Sequence, residues 1–211
     1  MLTRRAAERL RNRCLSAWDY ERMLLEAFPA VHQVKCIPQA SEGSWLAPGN
    51  ILLVVVPDLR NQNAVDPLRP RVDTATLSKM TEFALQHCGM QVRIRVKNPR
   101  YQRVKLAFQV KFRPGLPFHF YRRQLHEALI RVLSPWAFEA AKSIQFGGRV
   151  YRSVLLDFVE ELSYVDFVTD YKLLSPDSDF PHQDLSSIQA ATPSAILVSD
   201  TLHTIDEFTD A

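Results

Sequence analysis

The sequence predicts an α+β protein built from two small consecutive α/β-sandwich units, and three observations carry that prediction. First, residues 101–112 alternate: Val104, Leu106, Phe108, Val110 and Phe112 face one way, and Lys105, Ala107, Gln109 and Lys111 the other. That is the pattern of a half-buried strand. Second, Ile51 to Val56 is apolar at every position, which suits a central strand buried on both faces. Third, two segments with helical apolar spacing, about 73–87 and 119–133, fall on either side of Asn98-Pro99, so the strands and helices come in two successive sets. The order is strand-strand-helix-strand, then strand-helix-hairpin-helix-strand. The expected boundaries are 1–29 for an N-terminal helix pair, 30–98 and 99–174 for the two units, and 175–211 for a linker and an extended C-terminal arm.

In chain order, residues 3–14 can form a short arginine-rich helix, and Ser16-Ala17-Trp18-Asp19 reads as a capping box opening a second. Trp18, Leu25 and Phe28, with Leu24 beside them, are its expected core stripe, and Pro29 stops it. Val31 to Ile37 alternates imperfectly, in the manner of an outer strand antiparallel to Ile51–Val56. The stretch Asp58–Arg71 holds two prolines, Pro67 and Pro70, and reads as a long ordered or partner-facing loop. Asp73 caps the next helix, striped by Leu77, Met80, Ala84, Leu85 and Cys88; Gly89 ends it, and Gln91–Lys97 follows as a strand.

In the second unit, Pro114-Gly115-Leu116-Pro117 turns the chain into a helix with Tyr121, Leu125, Leu129 and Val132 on one face, ended by Ser134-Pro135. Gln145 to Val150, with Gly147-Gly148, reads as a tight hairpin; Ser153 caps a last helix, and Tyr164–Tyr171 closes the unit as a strand. Residues 175–193 have a linker composition, and Ala195–Ser199 is expected as an isolated strand able to pair with a sheet edge elsewhere.

Of 211 residues, 46% are hydrophobic and 23% charged, the proportions of a chain that buries a core. No apolar run reaches the ~18 residues that span a bilayer, so membrane insertion is not expected. The basic start lacks an apolar segment and a cleavage site, which predicts synthesis in the cytoplasm, and three widely spaced cysteines, Cys14, Cys36 and Cys88, suit buried reduced thiols. Charge is uneven. Residues 151–211 hold two basic and twelve acidic side chains, a net −10, which leaves +13 for residues 1–150 of a chain whose total is +3. Such a tail can fold back on its own body, meet the basic face of a neighbouring copy, or leave the body to an anionic partner.

Little in the sequence points to catalysis. The six histidines are scattered, and His119 and His126 stand seven apart without the H-E-x-x-H spacing that lets two imidazoles share a zinc ion. Gly147-Gly148 lacks the Lys-Ser/Thr of a phosphate loop, Glu160-Glu161 diverge on a helix, and Ser153 lacks nucleophile-elbow glycines. No cofactor, metal or small-molecule substrate is expected. Arg93, Arg95, Lys97, Arg100, Tyr101, Arg103 and Lys105 could line a nucleic-acid surface, or form the polar face of two strands whose other face is core.

A series of short segments runs through nearly the whole chain: Ala17-Trp18-Asp19-Tyr20-Glu21-Arg22, Phe28-Pro29-Ala30-Val31, Leu46-Ala47-Pro48-Gly49, Val55-Val56-Pro57-Asp58-Leu59-Arg60-Asn61 and Asn63-Ala64-Val65-Asp66-Pro67. Further on come Asn98-Pro99-Arg100-Tyr101, Leu133-Ser134-Pro135-Trp136, Phe146-Gly147-Gly148, Tyr164-Val165-Asp166-Phe167 and Ile196-Leu197-Val198-Ser199. In this order they resemble the C-terminal region of baseplate J-like proteins, wedge components of contractile phage tails, and especially their relatives in extracellular contractile injection systems. The resemblance implies a structural role: copies of the wedge protein contact one another and neighbouring baseplate subunits in a phage tail or tail-like particle.

The leading expectation is therefore an assembly module and not an enzyme, with Arg60, Asn61, Asn63 and Asp66 of the long loop and Ile196, Leu197 and Val198 of the arm as candidate contacts. The alternative is a nucleic-acid-binding module using Arg93–Lys105. A third class, a small hydrolase, would need Ser153, a histidine and an acid to converge.

Overall fold

The computed structural model describes residues 14–58, 66–138 and 144–209, and the chain divides into two compact units, Met1–Pro99 and Arg100–Ala211. The expected helix at 3–14 and the middle of the 58–71 loop lie outside the described residues, apart from Cys14.

In the first unit, α1 (Ala17–Ala27) opens on the expected capping box. Ser16 Oγ accepts from the Asp19 N–H, while the Asp19 carboxylate accepts from Ser16 N at 2.8 Å and Leu15 N at 3.1 Å. Those backbone donors hold the Asp19 carboxyl below its ordinary range. The buried face differs from the expected stripe. Tyr20 and Leu24 are buried, one turn apart, whereas Trp18 stays exposed beneath the Arg22 guanidinium at 5.1 Å. A first-turn aromatic has half its surroundings open to water, and a cation on its face satisfies it there.

Strands β1 (Val31–Pro38), β2 (Asn50–Pro57) and β3 (Arg93–Lys97) form a sheet in that order, with β1–β2 antiparallel and β2–β3 parallel. Helix α2 (Thr74–His87) is the crossover between the parallel strands, capped by Asp73 on the Thr76 N–H at 2.8 Å. The imperfect alternation of β1 has a cause: a register shift between Val31 and Gln33 brings Val31 into phase with Val34 and Cys36, and all three are buried. Central β2 is buried from Leu52 through Val56. One core joins Tyr20 and Leu24 to Met80 and Ala84 of α2 and to Leu53, Val55, Ile94 and Val96 of the sheet. Cys14 and Cys36 are buried in it as free thiols, which burial pushes up to about 11 and about 12, and Cys88 is half-buried.

The second unit is organised by β4 (Arg100–Phe112), whose side chains Val104, Leu106, Phe108, Val110 and Phe112 are buried as the alternation requires. The turn leaving it has Pro114 before Gly115 at φ +87°, a conformation glycine adopts without a Cβ clash. Helix α3 (Phe118–Leu133) packs Leu125, Leu129 and Leu133 on the sheet, and the chain continues through a short 3-10 turn (Pro135–Ala137), β5 (Arg149–Tyr151), α4 (Arg152–Glu160) and β6 (Val165–Leu174). Strand β6 is antiparallel to β4. Between Ala107/Lys172 and Gln109/Thr169 it carries one extra residue, with Asp170 at φ +50°, and within this bulge Tyr171 stacks on Phe108 at 5.2 Å.

Three expectations for this unit are corrected. Gln145–Val150 is no local hairpin: β5 pairs antiparallel with β7 (Ser187–Gln189), and Phe146 bridges to Ile196. Gly147 supplies the φ of +66° at this point, and its N–H donates to Ala195 O at 2.9 Å. Ser153 is not the cap of α4; Tyr151 holds the N-cap position and no side chain caps the helix. Most consequentially, residues 175–211 are no free linker and arm. Ile196, Leu197 and Val198 lie in β8 (Ala195–Ser199), a buried strand parallel to the first half of β4, and β9 (Thr204–Glu207) runs parallel to its second half. The isolated strand sought an edge elsewhere only because sequence spacing cannot show that β4 leaves one open.

The replacement Ile196→Ala is expected to cost ~2–5 kcal/mol of unfolding free energy, the range for truncating a fully buried aliphatic side chain. Chemical denaturation measures it, and a change within ±0.5 kcal/mol would restore the free arm.

Candidate assembly surfaces

The long loop between β2 and α2 is pinned at both roots. The Asp58 N–H donates to Ala30 O at 2.8 Å, and at the other end Asn98 closes a two-way pair: Val72 N donates to its Oδ1 at 2.8 Å and its Nδ2 to Val72 O at 2.9 Å. The Asn98 amide thus stands in for a strand residue after β3 has ended. Arg60, Asn61 and Asn63 lie outside the described residues. Asp66 is engaged in its own turn, accepting from the Leu68 N–H at 3.1 Å and from Arg69 Nε at 2.7 Å. The sequence reading used Asn98-Pro99 only to divide the two units and missed the clamp. An asparagine at the end of a strand is the available signal, but nothing in the spacing names Val72 as its partner.

The basic residues divide between the units, with Arg93, Arg95 and Lys97 in the first and Arg100, Tyr101, Arg103 and Lys105 in the second. Several already meet acids or rings of their own unit. Arg95 reaches Glu42 at 3.1 Å, and the Lys97 ammonium lies over Trp45 at 5.7 Å. Arg103 grips Asp177 through Nη2 at 2.7 Å, with Asp200 at 4.0 Å, and Asp177 also accepts from the Arg103 backbone N–H at 2.7 Å. Burial alone would raise Asp177, but these Arg103 bonds outweigh it and hold the carboxyl below its ordinary range. Asp184 in turn joins Arg152 at 2.6 Å and accepts from the Leu173 N–H. The acidic segment is folded back on its own unit at these points.

A sequence model of baseplate proteins described as PVC11-like matches residues 1–198. The chain belongs to this family. Its fold matches a chain in the solved baseplate of the anti-feeding prophage, determined by electron cryomicroscopy with six-fold symmetry, at a TM-score of 0.66 and 26% identity. The match covers 93% of this chain and 40% of that one, so the PVC11-like sequence here spans well under half of the baseplate chain it resembles. Comparison with curated protein sequences found no match.

The chemical candidates in this PVC11-like chain do not converge. Ser153 is exposed on α4, and among the described residues no group of three or more His, Cys, Asp or Glu could hold a metal ion. No described helix is long and apolar enough to cross a membrane. One serine–histidine pair does exist, unforeseen, between Ser199 and His203 at 3.0 Å. Its polarity is wrong for nucleophile activation. His203 Nδ1 accepts from the Leu106 N–H at 3.1 Å, so the ring proton sits on Nε2 and is donated to Ser199 Oγ, which itself donates to Asp200 O at 2.9 Å. Burial holds His203 down to about 3, with His126 and Lys105 adding to the effect. The pair is a structural link between β8, β9 and β4.

His203 makes stability depend on pH. Its folded value lies below the ordinary 6.5, so the unfolded chain takes up a proton first as pH falls, and stability is lost below pH 6.5. Between pH 6.5 and pH 5 the loss should reach up to ~2 kcal/mol, at ~1.4 kcal/mol per unit. Denaturant titrations across this range should show the slope in the native chain and its disappearance in H203L, which is also less stable at pH 7.5 because Leu106 N–H loses its acceptor.

Proposed function

We propose that this chain is a structural wedge component of a phage-tail-like contractile injection apparatus, corresponding to the C-terminal part of a longer wedge protein and acting through protein–protein assembly. The observation that carries the reading is the family match over residues 1–198, joined to a fold match in a solved baseplate. Its partners are other copies of the wedge protein and neighbouring baseplate subunits, met as the particle assembles in the cytoplasm. It acts without catalysis or cofactor.

The contact surface we assign is the Asp58–Val72 loop. Both of its roots are hydrogen-bonded into the first unit, at Asp58 and at Val72. Arg60, Asn61 and Asn63 supply donors and acceptors, and Asp66 shapes the exit turn. The nucleic-acid alternative is less favoured because Arg95 and Arg103 are matched to carboxylates of their own units, which lowers the free positive charge available for phosphates.

Sedimentation of the chain with neighbouring baseplate subunits, at low and moderate salt, is expected to yield a defined complex. Replacing Arg60, Asn61 and Asn63 together by alanine should weaken it at least ~10-fold, about 1.4 kcal/mol, without changing the melting of the chain. An unchanged affinity removes the loop from the interface. Tight, salt-sensitive binding of nucleic acid with no protein complex would favour the alternative.

A further inference from the structure

The second unit carries an apolar groove that the assembly reading does not use. It encloses about 560 Å³, has Leu133, Leu155 and Leu197 among its lining, and is edged by exposed Val132, Tyr151 and Val154. That size suits a large side chain with its flanking backbone. In its wall the Trp136 Nε1–H is buried and meets no acceptor among the described residues. Arg149 is the charged group of the lining, with its guanidinium over the Tyr151 ring at 5.9 Å and bonded to Gln189. Among the described residues of the lining there is no carboxylate. An occupant of matching chemistry has a bulky apolar side chain and an adjacent acid.

This chain displays such a segment. Phe180 is 70% exposed, between Asp179 and Pro181, on a loop whose shape is set before any contact forms. Asp177 is held by Arg103, the Ser178 N–H and Oγ both donate to Ser175 O, and the Gln183 N–H donates to Phe180 O at 3.2 Å. An exposed aromatic on a fixed turn costs little ordering entropy to bury, the property of an interface anchor. Phe180 is not among the residues lining the groove of its own chain.

We infer that the groove receives the Asp177–Gln183 loop of a second copy of this chain, with Phe180 entering it and Asp179 facing Arg149. The contact joins two different patches, so it is head-to-tail and can extend from copy to copy or close into a ring. The inference rests on the assembly role and adds to it a specific contact between copies.

The test is sedimentation equilibrium of the full chain over a wide concentration series, with Phe180→Ser and Val154→Asp as variants; both positions are exposed, and unchanged thermal melting verifies their folding. The native chain should self-associate as concentration rises, and each variant alone should stay monomeric. An equimolar mixture should recover dimers and nothing larger, because one variant keeps the groove and the other keeps Phe180. A native chain that is monomeric throughout, variants that associate as the native chain does, or a mixture that stays monomeric would each overturn the contact. Both variants should still bind neighbouring subunits through the 58–72 loop, so failure of this contact is distinguishable from failure of the assembly role.

Discussion

The second unit depends on satisfying both edges of one strand. Strand β4 is thirteen residues long, and β6 covers one side of it. The other side is covered piecewise by the last stretch of the chain: β8 pairs with residues 100–104 and β9 with residues 107–110. Between those strands the Asp200 N–H donates to Val104 O at 2.8 Å, and the His203 ring accepts from Leu106 N. A buried backbone group left without a partner costs ~1–3 kcal/mol, so a side chain substituting for a strand residue keeps the ladder continuous where the chain changes strand. That is why a histidine is buried and neutral at this point, and why the adjacent serine is a hydrogen-bond acceptor to it.

The same device occurs in the first unit at smaller scale. Asn98 replaces a strand neighbour for Val72, and Glu21 accepts from the Cys36 N–H at 2.8 Å on the outer strand β1. Each unit therefore uses polar side chains to terminate or bridge its sheet. The loop roots and the acidic C-terminal segment gain their positions from these bonds, while Leu, Val and Phe side chains supply the bulk of the burial.

For a baseplate family member, the useful product of this architecture is a set of held surface features. The loop after β2 leaves and re-enters the sheet at fixed points, and the Phe180 turn stands out from the second unit on a frame set by the Arg103–Asp177 pair. The acidic tail, which in the sequence could have belonged to a partner surface, is committed at Asp177, Asp184 and Asp200 to its own unit.

Much of the fold was legible in the amino-acid order because it rests on local physics. The alternation of Val104 to Phe112, the apolar run of β2, the capping box at Ser16 and Asp19 and the Asp73 cap each report a conformation that a few neighbouring residues decide. The family resemblance was legible for the same reason, as short segments in a fixed order. The candidate surfaces were read only in part: the loop was recognised from its prolines, whereas the Asn98 clamp and the apolar groove were not. Where the sequence reading went astray, the deciding contacts span long separations: Ile196 with Tyr101, Arg149 with Gln189, His203 with Leu106. A polar, proline-containing stretch such as 175–193 looks like a linker by composition. Tertiary structure alone could turn it into part of the unit, because its partners, β5 for residues 187–189 and Arg103 for Asp177, lie far from it in the chain.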